Sequence, residues 1–125
     1  MTEYDDIESM DNDKAVRLSH VLLRNRRALV TSKLAQANES NRERMHGRAD
    51  ALSDASLLCT PEATFRAVCA DVEIGLDHAT HERLKAIENR ADEREISRKA
   101  GAVSGWQSAL VVVGVLRARY KIESA

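Results

Sequence analysis

Aromatic side chains are scarce in this chain, where Tyr4, Phe65, Trp106 and Tyr120 make up 3% of the sequence. A core must then be assembled from Leu, Val, Ile and Ala, the material of helical bundles. Turn formers are also few, with one proline and five glycines. That is too little punctuation for a β protein with many turns, and it argues against a sheet-based fold. Cysteine is limited to Cys59 and Cys69. If a helix starts near Pro61, about 12–15 Å of helical rise separates them, against a limit of about 7 Å for bridged Cα atoms, so no disulfide within the chain is expected.

Other absences bear on function. The sequence has no Gly-rich phosphate loop and neither a Ser-His-Asp nor a Cys-His arrangement with local support. Acids near both cysteines would hold their thiols protonated. No cofactor and no catalytic residue are expected, and the chain reads as a non-enzyme. Residues 1 to 13 lack the apolar segment of a secretory signal, so the reducing cytoplasm is the expected location.

What the sequence does contain is helical periodicity. A chain of 125 residues suits one domain. Its clearest stretch begins at Thr60, whose hydroxyl is a candidate cap, with Pro61 at the first helical position and Glu62 against the positive end of the helix dipole. Phe65, Val68, Cys69, Val72, Leu76 and Ala79 then follow at spacings of three and four, one apolar line on a helix of period 3.6. The line breaks at Thr80 to Arg83 and resumes, displaced around the helix, at Leu84, Ile87 and Ala91. Two partner surfaces, or a bend, account for that displacement.

Before it, Val16, Leu22, Leu23, Leu29, Val30, Leu34 and Ala37 give a helix over about 14–37, with Arg26 and Lys33 projecting between its apolar rows and snorkelling along their stems. Asn38 to Arg44 is polar, and Met45, Ala49, Leu52 and Leu57 restore a sparse stripe, so a short helix is expected over about 44–57. Helices over about 60–98 and 99–121 complete the reading. Ala100 to Leu116 carries only Ser104, Gln107 and Ser108 as polar side chains. It reads as a helix buried on all sides, and Gly101, Gly105 and Ala109, spaced by four, let a neighbour approach closely. Seventeen apolar-rich residues with basic flanks also meet the lower limit for a membrane anchor.

The net charge of −1 conceals blocks: residues 1–13 carry −6, residues 14–48 +7, residues 49–97 −6 and residues 98–125 +4. Opposite blocks favour folding back or docking on a charged partner. Residues 1–13 read as a flexible acidic lead in which Ile7 and Met10 can dock and Asp11 or Asp13 can cap the next helix. His78 and His81, beside Asp77 and Glu82, share a helix face but lack a second ligand pair, so no metal site is expected.

The expectation is an all-α chain: a small helical bundle or coiled-coil-like oligomer of three to four helices. Its expected role is that of an oligomerising adaptor or inhibitor-like binding protein whose partner is itself or another protein. The partner interface is expected at Phe65, Val72, Leu76, Leu84, Ile87 and Trp106. The alternative is nucleic-acid binding by the basic 14–48 helix through Arg17, Arg24, Arg26, Arg27 and Lys33. The third reading is a membrane-tethered helical protein anchored by residues 100–116.

Overall fold

Four side chains decide where the helices begin. In the computed structural model, which describes residues 8–123, the carboxylate of Asp11 accepts the N–H of Lys14 at 2.7 Å and opens α1, Asn12–Leu34. Asn38 does the same for Asn41 at 3.0 Å and opens α2, Glu39–Leu57. Thr64 caps α3, Phe65–Glu88, through Ala67, and Asp92 caps α4, Glu93–Arg119, through Glu95. Each cap satisfies an amide that the first helical turn leaves free, worth about 1 kcal/mol. The chain is thus an all-α bundle of four helices packed against each other.

Three expected boundaries move. Pro61 lies in a turn rather than at a helix start, and the helix begins four residues later under Thr64. The later start buries Phe65 in the first turn, where its N–H is donated to Asn12 Oδ1 at 2.7 Å. The polar run Asn38 to Arg44 belongs largely to α2. The long 60–98 helix is two helices, because α3 ends in a Schellman motif: Ala91 N–H donates to Ala86 O at 2.9 Å and Arg90 N–H to Ile87 O at 3.1 Å. Arg90 adopts φ 55° there, the left-handed position that usually takes glycine.

The acidic lead is also more ordered than expected where it is described. Ser9–Met10 (β1) pairs in parallel with Lys121–Ile122 (β2), so the chain carries a minimal sheet despite its composition. Lys121 N–H donates to Glu8 O and Glu123 N–H to Met10 O, clipping the segment before α1 to the segment after α4 at one end of the bundle, and Met10 is buried. Ile7 lies outside the described residues.

Successive helices run antiparallel, which makes α2 and α4 parallel to each other. These two form the most extensive contact in the molecule. Gly101 meets the Arg44 carbonyl, Gly47 meets that of Arg98, and Gly105 lies where an added Cβ would stand 2.6 Å from Arg48 O. Without Cβ atoms at these points the two backbones come together, as the four-residue spacing of Gly101, Gly105 and Ala109 implied. Glu39 pairs with Arg94 at 3.3 Å and Glu43 with Arg98 at 3.2 Å beside that seam. Helix α1 packs chiefly on α2 and α3 on α4. Leu23, Leu52, Val68, Val72 and Val113 are fully enclosed between them.

Candidate interaction face

Around α4, at 100° per residue, three arcs are occupied. Gly101 and Gly105 face α2. Lys99 and Trp106 face α3, through an ion pair of Lys99 with Glu82 at 3.5 Å and a Trp106 ring lying over Gly75. Ser108 faces α1, accepting a hydrogen bond from Arg26 Nη1 at 2.9 Å. The remaining arc holds Ala100, Ser104, Gln107, Val111, Gly114 and Ala118, and within it Val111 is 53% exposed. A Cβ built on Gly114 would meet nothing within 4 Å.

The flanks of this open arc are apolar as well. On the α1 side a cleft of about 320 Å³ is lined by Leu18, Leu22, Val112 and Val115, with Arg26 and Arg119 at its rim. Leu29, seven residues beyond Leu22 and therefore on the same strip, is 63% exposed. On the α3 side, the edge that meets the start of α1 at Phe65 continues along the helix through half-buried Leu76 to Ile87, with Leu84 beside it. Leu84 and Ile87 are 52% and 45% exposed. The result is a broad face with small residues in the middle and large apolar ones on both sides. An apolar surface left open in this way marks an interaction site.

The expected interface residues divide accordingly. Phe65 and Val72 are buried in the chain's own core, 4% and 0% exposed, and offer nothing to a partner. Trp106 and Leu76 are half-buried, and Leu84 and Ile87 stand open. The displaced stripe has its explanation here. The packed row of α3 continues from Ala79 to Ala86, which are buried, while Leu84 and Ile87 lie off that row. Sequence reasoning missed Leu29, Val111 and Val115. It assigned the first to an apolar row of α1 and enclosed the other two in a fully buried helix.

The basic residues of α1 also separate. Arg17, Arg24, Arg27 and Lys33 are exposed, whereas Arg26 is half-buried and held by Ser108. Spacings of seven and three place Arg17, Arg24 and Arg27 along one strip, turned away from the arc that carries Leu18, Leu22 and Leu29.

The turn over residues 58–64 folds Cys59 onto the same core cluster that holds Cys69, so the expected separation by helical rise does not apply. Both thiols are free. Burial, and then the neighbouring Cys69, push the Cys59 thiol up to about 11, and burial also raises Cys69. His81 Nδ1 lies 2.9 Å from Asp77 O, and the Asp77–His81 pair is exposed. Among the described residues no group of three or more His, Cys, Asp or Glu side chains converges as a metal ion would require. Helix α4 is long and apolar enough to cross a membrane by length and composition, and 44% of its apolar window is buried in the bundle. Comparison with known proteins gives no match to a family model, a curated protein or a solved structure.

Proposed function

We propose that this chain is a non-catalytic helical interaction protein that associates with itself. The observation that carries this reading is the open face of α4 and its flanks, where Leu29, Leu84, Ile87, Val111 and Val115 are 45–63% exposed on three neighbouring helices. A monomer gains nothing from leaving such side chains in water, since each buried apolar Å² is worth about 25 cal/mol. The raised pKa values of the Cys59 and Cys69 thiols suit a binding role better than nucleophilic chemistry. The test is the mass of the full chain by light scattering across a concentration series. A mass that rises above 13.9 kDa with concentration is expected. A mass fixed at the monomer value up to the highest soluble concentration would discard the reading.

A second reading has an observation of its own in the exposed strip Arg17, Arg24 and Arg27. Such a strip can neutralise phosphates, and binding of that kind weakens steeply with salt. Its test is titration with duplex DNA and with RNA at low salt, where replacing the three arginines by Gln is expected to abolish the salt-dependent component.

A further inference from the structure

We infer that the open face pairs with the same face of a second copy in one particular arrangement: a two-fold axis running parallel to α4, so that α1 of each copy lies on α3 of the other. This rests on the self-association proposed above and goes further by fixing the partner and the orientation. Two faces of this shape have two simple ways to stack with two-fold symmetry. If the axis runs parallel to α4, the faces exchange flanks and α1 meets α3. If the axis crosses α4 at a right angle, α1 meets α1 and α3 meets α3.

Charge selects between them. Of the bases of α1, Arg26 and Lys33 border the apolar strip of Leu22 and Leu29, whereas Arg17, Arg24 and Arg27 turn away from it. Helix α3 carries Asp71, Glu73, Asp77, Glu82 and Glu88 against Arg66, Arg83 and Lys85, a net −2, and Glu73 and Asp77 stand exposed beside the apolar edge of Leu76. Stacking α1 on α1 would bring Arg26 and Lys33 of both copies together, whereas stacking α1 on α3 sets them beside Glu73 and Asp77 of the other copy.

Register agrees with this choice. Arg26 lies at the level of Ser108 on α4, and Gly75 at the level of Trp106. Because α3 runs antiparallel to α4, Glu73, two residues before Gly75, lies at the level of Ser108 as well. An axis parallel to α4 preserves height, so Arg26 of one copy faces Glu73 of the other, and Leu29, one turn on, faces Leu76. Apolar meets apolar and base meets acid with no sliding of one copy along the other.

The size of the face sets the strength. Ala100 to Ala118 spans about 27 Å of helix, and helices α1 and α3, each about 8–10 Å from α4, make the face about 16–20 Å wide. That is about 500 Å² on each copy, near the lower bound of about 1,000 Å² in total for a specific interface. A reversible dimer follows rather than a permanent one.

Sedimentation equilibrium of the full chain, at low and at high salt, tests the arrangement with three variants. In Glu73→Gln/Asp77→Gln, which changes exposed side chains only, α1 on α3 predicts dimerisation weakened about tenfold and a weaker salt dependence. Stacking α3 on α3 predicts the reverse, because neutralisation relieves repulsion. Unchanged or tightened association would therefore overturn the inference while leaving self-association standing. Val111→Glu and Leu29→Glu, each with its helical circular dichroism checked against the parent, are expected to remain monomeric. If either associates like the parent, the pairing does not use this face. A wild-type chain that stays monomeric would remove the proposed function itself.

Discussion

Asn12 Oδ1 accepts the backbone N–H of Phe65 at 2.7 Å, joining the first turn of α1 to the first turn of α3 across 53 residues of sequence. The same amide reaches the Ala63 carbonyl with Nδ2 at 3.4 Å, and Asn12 is 8% exposed. One side chain thus fixes where α3 starts and how two non-adjacent helices meet. Asn12→Ala would leave the buried Phe65 N–H without an acceptor, a loss of about 1–3 kcal/mol. Asn12→Asp keeps the acceptor and is expected to lose less. Urea midpoints of the two variants against the parent provide the measurement, and equal losses would show that the Phe65 contact is not the stabilising one.

That contact also shows where sequence reading stops. The fold class followed from scarce aromatics and from apolar spacings of three and four, and both survive in the bundle. The α2–α4 seam was half legible. Gly101, Gly105 and Ala109 announce a close approach, but nothing local marks Gly47 as their counterpart, because its partner carbonyl belongs to Arg98, 51 residues away. Pro61 misled because Thr60 and Thr64 are both credible caps, and only Asn12 decides between them. The break at Asn89 to Asp92 had one overlooked signal, Asp92 with Glu95 three residues on, a capping-box pattern. Its C-terminal stop, Arg90, has no sequence signature. The interaction face was the least legible part. Periodicity marks which residues are apolar, whereas which of them remain uncovered depends on where the neighbouring helices end.

Two glycines on α4 are expected to respond to alanine with opposite sign. At Gly101 an added methyl would run into the Arg44 carbonyl, part of a backbone that cannot turn aside. Gly101→Ala should force α2 and α4 apart and cost about 1–3 kcal/mol or more. At Gly114 the space is open, so Gly114→Ala should stabilise by up to about 1 kcal/mol through helix propensity. Thermal melts of both variants read the two signs directly. A neutral Gly101→Ala would mean that the seam is looser than described.

The Cys59 thiol is expected to react slowly. Its pKa is pushed up to about 11 by burial and by Cys69, so at pH 8 its thiolate fraction is about a hundredth of that of a thiol at 9.0. The sign for stability follows. A thiol whose folded pKa is raised keeps the fold fully stabilised below the unfolded pKa, and that contribution is lost as pH rises from 9.0 towards about 11. Alkylation with iodoacetamide at pH 8, native against urea-unfolded, should show strong protection. A Cys59→Ser variant should lose less stability than the parent between pH 9 and pH 11. Equal alkylation rates in the native and unfolded chains would contradict this protection.

Removing residues 100–125 separates a bundle helix from a membrane anchor. Among the described residues, helix α4 is the only element with extensive contacts to both α2 and α3, and α2 and α3 scarcely touch each other. Without residues 100–116, the buried Ala51, Leu52 and Ala55 of α2 and Val68, Val72 and Ala79 of α3 lose the surface they pack on. Helices of this length are marginal in water without a packed face, so the 1–99 chain should lose most of its helicity and its cooperative melt. The full chain, with the same residues enclosed, should stay soluble without detergent. An anchor would give the opposite pair of results, because an anchor contributes little to the domain it tethers: a folded, soluble 1–99 chain beside a full chain that partitions into vesicles. Circular dichroism of the truncated chain and vesicle flotation of the full one therefore report on the same helix from two sides. Retained helicity in the first, together with flotation of the second, would move α4 out of the bundle and into the bilayer.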